Sequence, residues 1–149
     1  MNHRRLLARG LLLALFGSSS TGNASEARPA IVVGEVSARA AGADGATLDL
    51  FRWLVEREIG RLELDQPRKP VTYVFSASLV RLDTRASRDG ASAICIVSGA
   101  LRRATNGTIV AVLHGSGAVD GDRSALNGTK AKALEVAVHG AVQRLPEAL

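Results

Sequence analysis

Few residues in this chain could bind a metal ion or form a covalent intermediate. Its 149 residues include three histidines and one cysteine, and only His114 and His139 lie beyond His3. Zinc sites use cysteine, histidine and carboxylate ligands at short, regular spacings, and no such spacing occurs in the sequence. We therefore expect neither a metal ion nor an organic cofactor.

The best place for a polar site is the glycine-rich run that follows His114. A serine beside a histidine suggests nucleophilic catalysis, but Ser116 lacks the Gly-x-Ser-x-Gly turn that exposes such a nucleophile. The run also has Asp120 where a dinucleotide-binding loop has its third glycine. We therefore predict no catalytic residue. The alternative is a small enzyme or small-molecule carrier that uses a loop from His114 to Asp122.

Arginines cluster around two predicted hairpins, at Arg81, Arg85, Arg88, Arg102 and Arg103. If the strands pair these residues, they form a basic patch on an exposed sheet face, which would suit an anionic partner. Charged side chains on exposed strands also discourage aggregation, which is the alternative explanation. The candidate binding residues are Arg81, Arg85, Arg102, Arg103, His114 and Ser116.

The first 27 residues have the three regions of a secretory signal peptide. Residues 1–9 contain three arginines, residues 10–16 are apolar, and residues 17–27 are rich in Ser, Gly and Ala. Small residues fit cleavage after Ala24 or Ala27, although an amphipathic helix or an organelle presequence would share this composition. We predict a periplasmic or secreted protein. Cleavage after Ala27, the preferred position, would leave a chain with 16 basic and 13 acidic residues, a net charge of +3 instead of +5.

Two classes of partner are disfavoured by the apolar and aromatic residues. The apolar leader is far shorter than the ~20 residues of a membrane-spanning helix, so we expect no stable membrane span after cleavage. Proteins that bind single-stranded nucleic acid expose aromatic side chains, whereas we expect Trp53, Tyr73 and Phe75 to lie in the core. Nucleic acid is therefore not an expected partner.

Cys95 lies between two isoleucines and is expected to be a small buried hydrophobe.

Hydrophobic patterning predicts the elements that would position any such site. Residues 30–36 are apolar and β-branched, as in a strand. Apolar residues then recur at helical spacing from Leu48 to Leu62, with Asp44 or Thr47 as the N-cap. A second helix is predicted over residues 130–145, with an apolar stripe at Leu134, Val138, Ala141, Val142 and Leu145.

Between the helices, three strands are predicted to form an antiparallel meander over residues 71 to about 85, 92–103 and 108 to about 115. Asp89-Gly90 and Asn106-Gly107 are both suited to tight hairpin turns. A two-residue turn at Asp89-Gly90 would place Leu82 opposite Val97. The apolar residues change parity along the first of these strands, which predicts a bulge near Leu79 or Val80.

These elements predict one α/β domain of the α+β type over residues 28–149, in the order β-α-β-β-β-α. Two apolar helix stripes suit a two-layer sandwich in which both helices cover one face of a mostly antiparallel four-stranded sheet. The other face and several loops are then exposed, including a predicted loop over residues 115–128. An uncovered strand edge could also pair with its copy to form a homo-oligomer.

The element order resembles a small periplasmic module found in curli-secretion-type lipoproteins, penicillin-binding-protein activator lipoproteins and the N-terminal domain of the Tol translocation protein. The resemblance covers residues 30–149 and depends on Ile31-Val32-Val33, the meander and the closing Ala-rich helix. It implies a recognition or assembly module, although this chain lacks a lipidation cysteine after the leader. We therefore expect a non-enzymatic envelope protein that binds a protein or an anionic envelope component through its exposed sheet face or hairpin loops.

Overall fold

The computed structural model describes residues 30–64 and 71–149. These contain β1 (Ala30–Ala38), α1 (Gly45–Gly60), β2 (Thr72–Ala86), β3 (Ala91–Arg103), β4 (Ile109–Gly121) and α2 (Leu126–Val142). Short 3-10 turns precede α2 at Arg123–Ala125 and follow it at Pro146–Ala148. The expected signal peptide over residues 1–27 lies outside the described residues, as do its cleavage positions Ala24 and Ala27.

The four strands form one mixed sheet in the order β1-β2-β3-β4. β1 is parallel to β2, because α1 connects them as a crossover that returns the chain to the same end of the sheet. The strands β2, β3 and β4 form the predicted antiparallel meander. Both helices pack on the same sheet face, and the core lies between the two layers. The predicted α+β architecture is confirmed.

The core consists of alternate strand residues and the helix stripes that face them. Cys95 is buried in it, as expected. Burial raises the pKa of its thiol to about 11, so the thiol stays protonated at neutral pH. The buried residues that the patterning also predicts are Phe51, Leu54, Val55, Tyr73, Phe75, Leu134, Val138, Ala141, Val142 and Leu145.

Trp53 is the aromatic exception, because its side chain is 53% exposed on α1. The expectation that it lies in the core is therefore wrong. Each residue of a helix is rotated by ~100° from the last, so Trp53 faces away from the buried neighbours Phe51 and Leu54. Arg57, one turn later, lies over the indole ring at 4.7 Å from its centroid, which is a cation–π contact.

Asp44, one of the two predicted N-caps, caps the first helix and directly precedes its first residue. The Asp44 carboxylate accepts a hydrogen bond from the backbone N–H of Thr47 at 2.8 Å, which satisfies an otherwise unpaired donor of the first turn. Hydrogen bonds from Thr47 lower the pKa of this carboxyl. Lys130 of α2 donates to the Thr47 hydroxyl at 3.2 Å, so the starts of the two helices are connected.

The pairing of β2 with β3 confirms one predicted feature and corrects another. A register shift between Leu79 and Arg81 leaves Val80 as the extra residue, so the predicted bulge is confirmed. The predicted two-residue turn at Asp89-Gly90 is wrong, because Ala86 pairs with Ala91 and the loop has four residues. Leu82 therefore lies opposite Cys95 instead of Val97. A shift of two positions preserves the faces of the strand.

The predicted loop over residues 115–128 is also wrong, because β4 continues to Gly121. A Cβ atom on Gly115 would lie 1.8 Å from the carbonyl oxygen of Ala137. One on Gly117 would lie 2.0 Å from that of Ala133. These glycines therefore allow the backbone of α2 to approach the strand closely. The second helix accordingly begins at Leu126, earlier than predicted.

Candidate binding surface

The sheet face opposite the helices is covered by no element of residues 30–64 and 71–149. We call it the open face. Large aliphatic side chains on this face are between 43% and 55% exposed, namely Val32, Val80, Ile94, Ile109 and Val112. Scattered exposed aliphatics are ordinary on a protein surface, whereas several on one face are typical of an interaction site. The open face is therefore the first candidate for a functional surface.

A row of small polar side chains crosses the open face between these aliphatics. Ser37, Ser78, Ser98 and His114 lie side by side on the four strands. The Ser37 hydroxyl donates to the Ser78 hydroxyl at 3.3 Å. Ser76 lies two residues from Ser78, on the same face of β2. Because serine is short, this part of the sheet is lower than its aliphatic surroundings.

The low region forms a groove of about 350 Å³, which we call the serine groove. Its floor consists of Ser37, Ser76, Ser78 and Ser98, and its charged residues are Glu35, Arg39 and Arg102. Neither arginine is in an ion pair with another residue of the described ranges. The three charged side chains give the groove a net charge of +1. Its volume lies within the usual range for ligand sites.

The four arginines among the predicted binding residues are not brought together. Arg81 is in an ion pair with Asp83, and its Nε lies 2.6 Å from an Asp83 oxygen. Arg81 is beside Ile96 of β3, six residues from Arg102, which is ~20 Å along a strand. Arg103, the next residue along β3, lies opposite buried Tyr73 and therefore does not share a face with Arg102.

Arg85 lies in a different environment from Arg102. It lines a cleft of about 400 Å³ at the β2–β3 hairpin, together with Asp89 and Asp120. The three charged side chains give this cleft a net charge of −1. Of the four predicted arginines, Arg102 alone belongs to the serine groove.

His114 and Ser116 are exposed on the open face of β4 instead of lying in a loop. Two residues on one strand face are ~7 Å apart, so they do not form a nucleophile–base pair. Neither residue lines the serine groove or the Arg85 cleft. Within residues 30–64 and 71–149, no group of three His, Cys, Asp or Glu side chains could hold a metal ion.

The patterning missed a charged cluster between the two helices. Glu58 of α1 is only 4% exposed. Its carboxylate lies 2.9 Å from His139 of α2 and 2.9 Å from Arg57. Arg57 also reaches Glu135 of α2 at 2.8 Å. Helical periodicity could have indicated this cluster, because Glu58 lies seven residues after Phe51 and therefore falls on the buried stripe of the helix.

The charges of this cluster compensate one another. Burial alone would raise the pKa of Glu58, but hydrogen bonds from His139 and Arg57 outweigh it, and the pKa is lowered. Hydrogen bonds from Lys132 and Arg57 lower the pKa of Glu135. A cavity of about 370 Å³ beside the cluster is lined by both signs of charge. We assign the cluster a structural role in holding α1 against α2.

Comparisons with known proteins identify the fold. No family model matches this chain, and no curated protein matches it. Among solved structures, protein XCC0632 from Xanthomonas campestris, family model DUF330, is similar with a TM-score of 0.59. Its sequence is 13% identical, over 82% of this chain and 85% of that one.

Two further solved structures are less similar. A candidate lipoprotein from Caulobacter crescentus CB15 has a TM-score of 0.45 and 17% identity, over 74% of this chain and 85% of that one. A PelC dodecamer from Paraburkholderia phytofirmans has a TM-score of 0.46 and 14% identity, over 76% of this chain and 87% of that one. The similarity to small bacterial α/β proteins is confirmed, whereas the three families named from element order are not.

No helix of the described residues is long and apolar enough to cross a membrane.

Proposed function

We propose that this chain is a non-enzymatic, exported envelope module that binds a protein through its open face. The observation that carries the proposal is an uncovered sheet face on which exposed aliphatic side chains surround a serine groove flanked by Arg39 and Arg102. Protein interfaces combine apolar contact area with hydrogen bonds and are enriched in arginine. The partner surface would carry apolar and acidic side chains.

The size of the open face supports a protein as the occupant. The four strands are nine to fifteen residues long, and at ~4.8 Å spacing they cover roughly 600 to 950 Å². A standard protein–protein interface buries about 800 Å² on each partner. A purely electrostatic ligand such as a polyanion would not use the exposed valines and isoleucines, because their contribution is hydrophobic.

The exported and non-enzymatic parts of the proposal have separate supports. Export depends on the signal-peptide pattern of residues 1–27. The non-enzymatic assignment depends on the spacing of His114 and Ser116, which are too far apart to act as a base and its nucleophile. The alternative enzyme or carrier required a loop from His114 to Asp122, and these residues lie almost entirely in β4.

Site-specific photo-crosslinking in producer cells tests the proposal. A photo-reactive amino acid replaces Val112 on the open face, and a matched variant carries it at Val136 on α2. Both positions are well exposed, at 55% and 40%. We expect a discrete adduct with another protein at Val112 and none at Val136.

Three outcomes would overturn the proposal. One is the absence of an adduct at both Val112 and Val32, a second open-face position. Another is an equal adduct at Val136, which would indicate unspecific proximity. The third is an adduct of twice the mass of this chain, which would identify a second copy as the occupant.

A further inference from the structure

We propose that the serine groove receives an extended peptide segment of the partner, with an acidic side chain at each end held by Arg39 and Arg102. This inference rests on the proposed function, because it names the part of the partner that the open face binds. It goes further in predicting the conformation and the charge pattern of that segment.

The two arginines lie at opposite ends of the groove. The backbone N–H of Arg39 donates to the carbonyl of Leu79 on β2 at 2.9 Å, whereas Arg102 lies beside Val74 on β2. Leu79 and Val74 are five residues apart, which is ~17 Å along the strand. The two side chains therefore extend from points ~17 Å apart along the groove, a separation that suits two anionic groups of one extended ligand better than one small anion such as a phosphate.

An extended peptide fits this separation. Its backbone advances by ~3.3 Å per residue, so ~17 Å corresponds to five residue steps. Side chains five steps apart in an extended chain point to opposite sides, as a segment above β2 requires, because Arg39 follows β1 and Arg102 belongs to β3. Guanidinium groups bind carboxylates through two parallel hydrogen bonds, and neither arginine is in an ion pair within residues 30–64 and 71–149. Serine hydroxyls both donate and accept, so the floor can bind the N–H and C=O groups of a peptide backbone.

Glu35 sets the charge pattern between the two ends. Glu35 lines the groove and belongs to β1, where it lies in the register shift between Val33 and Val36. Its carboxylate would repel an acidic side chain in the middle of a bound segment. The groove therefore favours acidic residues about five positions apart with neutral residues between them.

Two synthetic hexapeptides of identical composition test this pattern with the mature protein recovered from producer cells. One has the sequence Glu-Thr-Val-Thr-Val-Glu and the other Thr-Val-Glu-Glu-Val-Thr, both with blocked termini. Backbone amide shifts in nitrogen-15 NMR spectra report binding. We expect saturable shifts at Ser37, Ser78 and Ser98 with the first peptide, and at least fivefold weaker binding of the second.

Variants identify the contacts. We expect Arg39→Gln and Arg102→Gln each to weaken binding of the first peptide about tenfold, because each removes a hydrogen bond to a charged group. Arg52→Gln, an exposed change on α1, is the matched control and should leave binding unchanged. All three side chains are exposed, so the thermal unfolding midpoints should remain equal.

The inference fails if the two peptides bind equally, if either groove variant binds like the original protein, or if the serine amides do not shift. Tighter binding of an alginate oligomer than of the first peptide would identify a polyanionic glycan as the occupant instead. If a peptide test fails but Val112 still forms an adduct with another protein, the proposed function stands and only the groove inference fails. If the peptide tests fail and no adduct forms, the proposed function and the groove inference both fail.

Discussion

Glu58 illustrates at the scale of a residue how a buried charge is tolerated. Its carboxylate is almost fully buried, and an unpaired charge there would be strongly unfavourable. His139 and Arg57 each donate to it at 2.9 Å, and Arg61 lies at 3.4 Å. Because His139 belongs to α2, the carboxylate joins the two helices as well as being stabilised by them.

Removing this charge should destabilise the fold. We expect Glu58→Gln to lower the free energy of unfolding at pH 7 by about 1–3 kcal/mol, since an amide leaves part of the donor set without an acceptor. Urea denaturation measures this value. Glu135→Gln, the same change at a more exposed member of the cluster, is the control and should cost less than about 1 kcal/mol.

The loss should also depend on pH. The pKa of Glu58 lies below its ordinary value of 4.5 in the folded protein, so ionised Glu58 stabilises the fold above that value. This stabilisation is lost as the pH falls from about 4.5 through the folded pKa. The difference between Glu58→Gln and the original protein should therefore shrink at pH 3. An equal difference at pH 3 and pH 7 would contradict the assigned role.

At the scale of elements, contact between α2 and β4 depends on residues without a side chain. Gly115 and Gly117 lie beneath the backbone of Ala133 and Ala137, so α2 lies directly over this edge strand. A second copy paired to β4 would lie ~4.8 Å away, and its own α2 would approach closer than the 8–10 Å between packed helices. This packing disfavours pairing at β4. At the opposite edge α1 contacts β1, and self-association through a strand edge stays a prediction.

Two equivalent substitutions test this contact. Gly115→Ala should lower the free energy of unfolding by about 1–3 kcal/mol or more, because the new methyl group overlaps the helix backbone. Gly128→Ala, in α2 itself, meets no atom within 4 Å and should raise it by about 0.4–1 kcal/mol. Thermal and urea unfolding compare them. A neutral Gly115→Ala variant would show that the helix moves freely away from the strand.

At the scale of the whole molecule, the helices cover one sheet face and leave the other exposed. The exposed face meets an envelope partner only if the chain leaves the cytoplasm. Export is therefore the condition on which the proposed function depends.

Mass spectrometry of fractionated producer cells tests export directly. We expect a mature protein that begins at Ser25 or Arg28, in the periplasm or the medium, because the leader has the pattern recognised by signal peptidases. Processing would remove three arginines and at most one glutamate. An intact Met1 in the cytoplasm would exclude export and favour an intracellular anionic partner for a chain of net charge +5.

The sequence alone determined the features that depend on neighbouring residues. Helix and strand order, an N-cap at Asp44 or Thr47 and a bulge near Leu79 or Val80 follow from periodicities and hydrogen bonds within a few positions, and the structure chose Asp44 and Val80. Tertiary structure decided what distant segments do together. Glu58 and His139 are 81 residues apart, and the serine groove exists only once three strands are in register. Gly115 and Gly117 look locally like a loop, but they pair with Val97 and Cys95 of β3, and their lack of a side chain leaves the space that α2 occupies.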